Sequence, residues 1–395
     1  MAWGDYDNDG RLDLLLTGLT GYDSNWNAIC ISRVYHNNGD GSFTWNTNAA
    51  LPGVNSGSVA WGDYDNDGRL DILLMGDAGC TDTAGSEGYI TRIYHNNGDG
   101  AFTWNTNAAL PEVCVGSVAW GDYDNDGRLD ILLTGQTSDG SVVSGIYHNN
   151  GDGTFADINA GLPGAMEGGA YWGDFDNDGR LDVLVTGNTS WTTFAVFSGI
   201  YRNLSPVTNI PPTAPIGLTA AVSSNSVTLA WTAASDRQTP AAGLAYNLRV
   251  GTAPGRWDIV SPEADPASGL RRLPATGAVQ RANAVLKNLP YGAAYYWSAQ
   301  AVDSALAGSP FAAEGSFSLA LTINSCCFTG SGQFLFQFTG TPSCSYTVLG
   351  TTNVALPMSN WAPFGCAIET SPGQYQFALT NAPGSPQRFF RLRWP

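Results

Sequence analysis

A nine-residue acidic loop occurs four times in this chain and constrains its fold more than any other feature. It reads Asp5-Tyr-Asp-Asn-Asp-Gly-Arg-Leu-Asp13, and recurs at Asp63–Asp71, at Asp122–Asp130 and, with Phe175 for Tyr, at Asp174–Asp182. The aspartates fall at positions 1, 3, 5 and 9: Asp5, Asp7, Asp9 and Asp13; Asp63, Asp65, Asp67 and Asp71; Asp122, Asp124, Asp126 and Asp130; Asp174, Asp176, Asp178 and Asp182. Carboxylates at alternate positions, with Gly where the chain turns sharply, make an oxygen cage for a hard cation, calcium before magnesium. A plain turn also favours Asp, Asn and Gly. It gives no reason to crowd four carboxylates, which repel by about 1–3 kcal/mol per pair at about 5 Å.

The copies are spaced by 58, 59 and 52 residues, so the first half is a repeat protein. The formal charge of −17 is concentrated there: residues 1–210 hold 27 acids and 7 bases, and the rest 7 acids and 10 bases. Such acidity argues against nucleic acid as a partner. No apolar run has the length of a membrane span. The seven cysteines, Cys30, Cys80, Cys114, Cys326, Cys327, Cys344 and Cys366, lack CxxC spacing, and their odd count leaves at least one unpaired within the chain. Cys344 and Cys366 are candidates to bridge two strands of the last region.

In the second copy, Ser58–Trp61 reads as a short strand into the loop, and Leu70–Gly76 as a buried apolar strand. Tyr89–Tyr94 alternates as a third strand. The turn His95-Asn-Asn-Gly-Asp-Gly100 leads to a fourth from Ala101. Four strands per repeat without helical periodicity are the pattern of a propeller blade. The loop between Trp-Gly and Leu-Asp-Ile-Leu, followed by Tyr-His-Asn-Asn-Gly-Asp-Gly-x-Phe, resembles the FG-GAP or VCBS-type repeat, a family that includes integrin α-chain propellers. The resemblance covers residues 1–204. It implies about four Ca2+ ions, one per blade loop. Carried over by position, the first ligand set is the four aspartates with the backbone carbonyl of Arg11; Arg69, Arg128 and Arg180 hold that position in the other copies. Such propellers close with about seven blades. Here the first copy enters in mid-strand at Met1-Ala2-Trp3 and the fourth stops before its last strand. The expectation is that further blades, and any export signal, lie upstream.

His36, His95 and His148 share one repeat position, which Arg202 holds in the fourth copy. They read as blade architecture, and the Asn-Asn-Gly-Asp-Gly element as a hairpin turn, not a second metal site. No histidine remains for a Ser-His-Asp or Cys-His arrangement. The only lysine, Lys287, falls in an expected strand. The chain is read as having no enzymatic activity of its own. The segments that vary between copies are Leu19–Ser32, Asp77–Thr91, Gln136–Ser144 and Asn188–Ser198. They carry Tyr22, Trp26, Trp191 and Phe194, residues suited either to stacking on a ligand or to packing between blades.

Asn209–Pro215 is a Pro-rich linker. Strands are expected at Ile216–Val222, Ser226–Trp231, Tyr246–Val250, Ala284–Leu289 and Tyr295–Val302. The run Leu289–Asp303 resembles the fibronectin type III signature, with Tyr295 as its corner tyrosine. Arg271, Arg272 and Arg281 read as surface charges. Residues 319–395, with expected strands at Gln333–Phe338, Ser345–Leu349, Gln374–Phe377 and Arg388–Trp394, look like small C-terminal β-sandwich modules of bacterial secreted proteins. The expected fold is therefore all-β, with a partial propeller over 1–208, a linker over 209–215, and two sandwiches over 216–318 and 319–395. The expected role is calcium-dependent adhesion or binding of a protein or glycan, secreted or at the cell surface. The alternative is a non-catalytic accessory region of a polysaccharide-degrading enzyme.

Overall fold

The computed structural model describes residues 1–24, 26, 28–79, 88–193, 195–271, 275–329, 333–379 and 388–393. Cys80, Phe194, Arg272 and Trp394 lie outside the described residues. Among those described, the chain is all-β: every sheet is antiparallel, none closes into a barrel, and the one helical element is a single 3-10 turn at Met358–Asn360.

Each repeat builds one sheet whose strands lie side by side in chain order. The first holds β1 (Ala2–Gly4), β2 (Asp13–Tyr22), β3 (Ala28–Asn37) and β4 (Phe43–Trp45). The second holds β5 (Asn55–Gly62), β6 (Asp71–Asp77), β7 (Tyr89–Asn96) and β8 (Phe102–Trp104). The third holds β9 (Val113–Gly121), β10 (Asp130–Thr137), β11 (Val142–Asn149) and β12 (Phe155–Asp157), and the fourth β13 (Met166–Gly173), β14 (Asp182–Asn188) and β15 (Val196–Tyr201). The first strand is 3 residues long where its counterpart β5 has 8.

Side chains alternate faces along a strand, and this stacks the sheets. Ile72 and Leu74 of β6 enter a core shared with the first repeat, whereas Leu73 and Met75 enter one shared with the third. In β10, Ile131 and Leu133 face the second repeat and Leu132 the fourth. An aromatic contact recurs across the first two junctions. Tyr6 stacks on Trp61 at 6.2 Å and Tyr64 on Trp120 at 6.3 Å, with Phe102 and Phe155 against them. The glycine that ends the first strand allows this approach. A Cβ on Gly4, Gly62 or Gly121 would meet the Trp of the following repeat within 2.7 Å.

The second region forms two three-stranded sheets, β16 (Ile216–Ser223), β17 (Ser226–Thr232) and β19 (Asn283–Leu286) in one, and β18 (Ala245–Gly251), β20 (Ala294–Val302) and β21 (Gly315–Ser318) in the other. Both contribute to one core around Trp231, Tyr246 and Trp297. Tyr295 Oη donates to Pro290 O at 2.7 Å. Two expectations need correction. Lys287 lies just beyond β19, which ends at Leu286. Arg271 is no surface charge: its side chain is buried and Nη2 reaches Glu263 Oε2 at 3.3 Å and Ala275 O at 2.6 Å.

In the last region, Thr322–Phe328, Phe334–Thr339, Gln374–Leu379 and Ile368–Ser371 form one sheet, and Ala362–Cys366, Thr347–Thr351 and Phe389–Arg393 another. Phe336, Phe338, Tyr346 and Tyr375 fill the space between them. Cys344 and Cys366 are free thiols and so do not bridge these strands. Cys30 is disulfide-bonded.

Candidate metal centres

With strands side by side in chain order, the β1–β2 and β3–β4 connections of a repeat emerge at one edge of its sheet, and the β2–β3 connection at the other. In the first three repeats the acidic loop therefore lies beside the His-Asn-Asn-Gly-Asp-Gly turn, and in the fourth beside Arg202-Asn203. The variable segments occupy the opposite edge.

Within the first loop, Asp5 accepts from the backbone N–H groups of Asp9 at 3.0 Å and Gly10 at 2.8 Å. Asp9 accepts from Arg11 N at 3.0 Å, and its other oxygen pairs with the Arg11 guanidinium. Asp13 is fully buried; it accepts from Tyr6 N at 3.2 Å and from Asn37 N at 2.8 Å. The corresponding bonds recur in the other three loops. Asn8, Asn66, Asn125 and Asn177 adopt φ of 57–59°, the left-handed turn conformation to which Asn is suited.

One ligand atom from each of Asp5, Asp7 and Asp9, and likewise from Asp63, Asp65 and Asp67, lies within 4.8 Å of the others. A second grouping adds an imidazole: Asp7, Asp13 and His36; Asp65, Asp71 and His95; Asp124, Asp130 and His148. His36 Nδ1 is 2.9 Å from Asp7 Oδ2 and 3.5 Å from Asp13 Oδ1. The histidines thus lie against the acidic loops, a role their shared repeat position concealed. No local pattern in the sequence signals this; it follows from the strand order, which brings two connections two strands apart to one edge.

Burial, with a smaller addition from neighbouring aspartates, pushes carboxyl pKa values up. Asp5 rises to about 6, Asp13, Asp63 and Asp122 to about 7, and Asp71 well above the ordinary carboxylate range. Asp130 rises to about 6 through burial, opposed by its hydrogen bond with His148. Asp124 Oδ1 is buried without a hydrogen-bond partner. Crowded, desolvated carboxylates of this kind are stabilised by a bound cation, so the donor set fits a divalent ion in the first three loops. The fourth differs. Arg202 Nε lies 2.7 Å from Asp176 Oδ2 and its Nη2 2.8 Å from Asp178 Oδ2. Burial alone would raise the Asp178 pKa, but hydrogen bonds from Arg202 and Arg180 outweigh it and leave it below the ordinary value.

The loops are tied to one another. Asn8 Nδ2 donates to Gly68 O at 3.1 Å, Asn66 to Gly127 O at 2.9 Å and Asn125 to Gly179 O at 3.2 Å. The Asn after each His also bridges repeats. Asn96 Nδ2 reaches Tyr6 O and Asn149 Nδ2 reaches Tyr64 O, each at 2.8 Å. The second region reaches the third loop, where Ser304 Oγ donates to Asp122 Oδ2 at 2.7 Å. At the opposite edge, Trp26 is 82% exposed and stands 6.1 Å from the exposed ring of Tyr22. That pair projects into solvent and is not packed between sheets. Trp191 is 40% exposed.

Residues 2–74, 80–133 and 135–185 match the family model of the FG-GAP-like repeat. No curated protein matches the chain. Among solved structures, the chicken CNTN1 FN1-FN3 domains align at 12% identity and a TM-score of 0.22, over 71% of this chain and 92% of that one. A Bacillus thuringiensis chitinase aligns at 17% identity and a TM-score of 0.20, over 48% of this chain and 30% of that one.

Proposed function

We propose that the FG-GAP-like repeats of this chain are blades of an extracellular calcium-stabilised propeller that presents its variable loops to a protein or glycan ligand. The supporting observation is the crowding of buried aspartates at one sheet edge, repeated loop after loop and tied across repeats by asparagine. Calcium would be held by Asp5, Asp7, Asp9 and Asp13 with the Arg11 carbonyl, and by the matching residues in the second and third repeats. When bound it supplies positive charge that fixes the loops; it takes part in no reaction. Its role is structural. At about 1 mM ion and a dissociation constant of about 0.1 mM, each site adds about 1.4 kcal/mol. Residues 216–318 serve as a fibronectin type III-like spacer, a reading favoured by the single core between two sheets and by the Tyr295–Pro290 hydrogen bond.

Adhesion through the variable edge is favoured by the exposed Tyr22–Trp26 pair, since an aromatic face in solvent suits stacking on sugar or anchoring a protein. Two measurements test these readings. Chelation should lower the melting temperature of the repeat region by several degrees while leaving the later transition in place, and an unchanged melt removes the calcium reading. On glycan and protein arrays with calcium present, Trp26→Ala should abolish the strongest signal without changing the melt. Undiminished binding by that variant would move the ligand surface elsewhere.

A further inference from the structure

The four acidic loops keep one spacing, but the residue that faces them from the neighbouring connection is not constant. In the first three repeats it is a histidine, its Nδ1 at 2.9, 3.0 and 3.3 Å from Oδ2 of the third-position aspartate. In the fourth it is Arg202, which spans two carboxylates, Asp176 and Asp178. Asp178 also accepts from Arg180 Nη2 at 2.5 Å. The backbone sets this placement: Asn203 N donates to Asp182 Oδ1 at 2.7 Å, so the register that holds the loop carries Arg202 over it.

We infer that Arg202 takes the place of a divalent ion in the fourth loop, so that the chain has three metal-binding loops and one that is closed by its own guanidinium. This rests on the calcium reading above. The chemistry separates the two classes. An imidazole nitrogen can itself ligate a metal beside the carboxylates, whereas a guanidinium has only N–H donors and brings a fixed positive charge. Counting Asp and Arg alone, each of the first three loops carries four aspartates and one arginine. The fourth carries four aspartates and two arginines, and so attracts a cation less. A divalent ion placed about 5 Å from the Arg202 charge would lose at least about tenfold in affinity, even at the dielectric of bulk water. The guanidinium also suits the site geometrically, since its fork of donors engages two carboxylates together.

Native mass spectrometry of the full chain, titrated with Ca2+, tests this directly. Wild type should saturate at three ions. Arg202→His should raise the count to four, and Arg202→Lys, which keeps the charge, should leave it at three. Asp65→Asn should lower it to two, while Asp176→Asn should not change it. Circular dichroism of each variant confirms that the sheets persist. Four ions on wild type, or no gain in Arg202→His, overturns the inference while leaving the calcium reading intact. A count of zero on wild type removes the calcium reading and this inference with it.

Discussion

The inner and outer repeats share a sequence pattern and differ in what covers them. Every residue of β6 from Asp71 to Gly76 is buried, because the second sheet is sandwiched between two others. In the fourth repeat only one face of the central strand is covered. Val183 and Val185 face the third repeat, whereas Leu184 is 37% exposed beside the exposed Tyr171 and Ile200. The first repeat mirrors this at the other end. Leu15 is buried against the second sheet, and Trp3, the counterpart of the buried Trp61, Trp120 and Trp172, is 53% exposed. The glycine beside it makes the same point. Gly4, Gly62 and Gly121 are each covered by the next Trp, and Gly173 has nothing within 4 Å. One local sequence thus yields a core strand or a surface strand according to its neighbours.

The largest test of this difference is a pair of truncations. Leu73→Ala should cost about 2–5 kcal/mol, since Leu73 is fully buried between two sheets. Leu184→Ala, half in solvent, should cost under about 1 kcal/mol in denaturant unfolding. Equal losses would mean that the outer face is covered in solution. A smaller effect is expected at the glycines. Gly62→Ala would bring a methyl to 2.5 Å from the Trp120 ring and should cost about 1–3 kcal/mol. Gly173→Ala meets open space and should be neutral within about 0.5 kcal/mol. Destabilisation at Gly173 as large as at Gly62 would break the contrast.

The smallest effect concerns pH. Asp13, Asp63 and Asp122 have folded pKa values of about 7, above the ordinary carboxylate range, so folding favours their protonated form. That contribution is complete below the ordinary carboxylate range and is lost as pH rises through about 7. In chelator, the repeat region should therefore melt higher at pH 5 than at pH 8. Saturating calcium should flatten or reverse the trend, because the ion binds the ionised carboxylates. Asp303, also raised to about 7 by burial, adds the same slope in the second region and should not respond to calcium. Fluorimetric melting across pH 5–8, with and without the ion, reads both; a metal-free melt that rises with pH contradicts the assignment.

Within the repeats, strand positions were legible because alternation and turn residues agree. The strand expected at Tyr89–Tyr94 is found at Tyr89–Asn96, and that expected at Leu70–Gly76 at Asp71–Asp77. Strands missed in the later regions lack such signals. Thr322–Phe328 is exposed along its whole length, and Ala362–Cys366 contains a proline and has only Phe364 partly covered. These segments become strands through pairing with a partner, a contact their own residues do not encode.

By itself, the sequence determined the repeat unit, the acidic loops and the alternation that stacks one sheet on another. All three are written in residues close together along the chain. Tertiary structure alone decided which copies are buried on both faces, that the histidines meet the aspartates, and that Arg202 lies across the fourth loop. Those outcomes depend on which connections share a sheet edge and on whether a neighbouring sheet is present. Contacts between residues tens of positions apart set them, and no local pattern records such contacts.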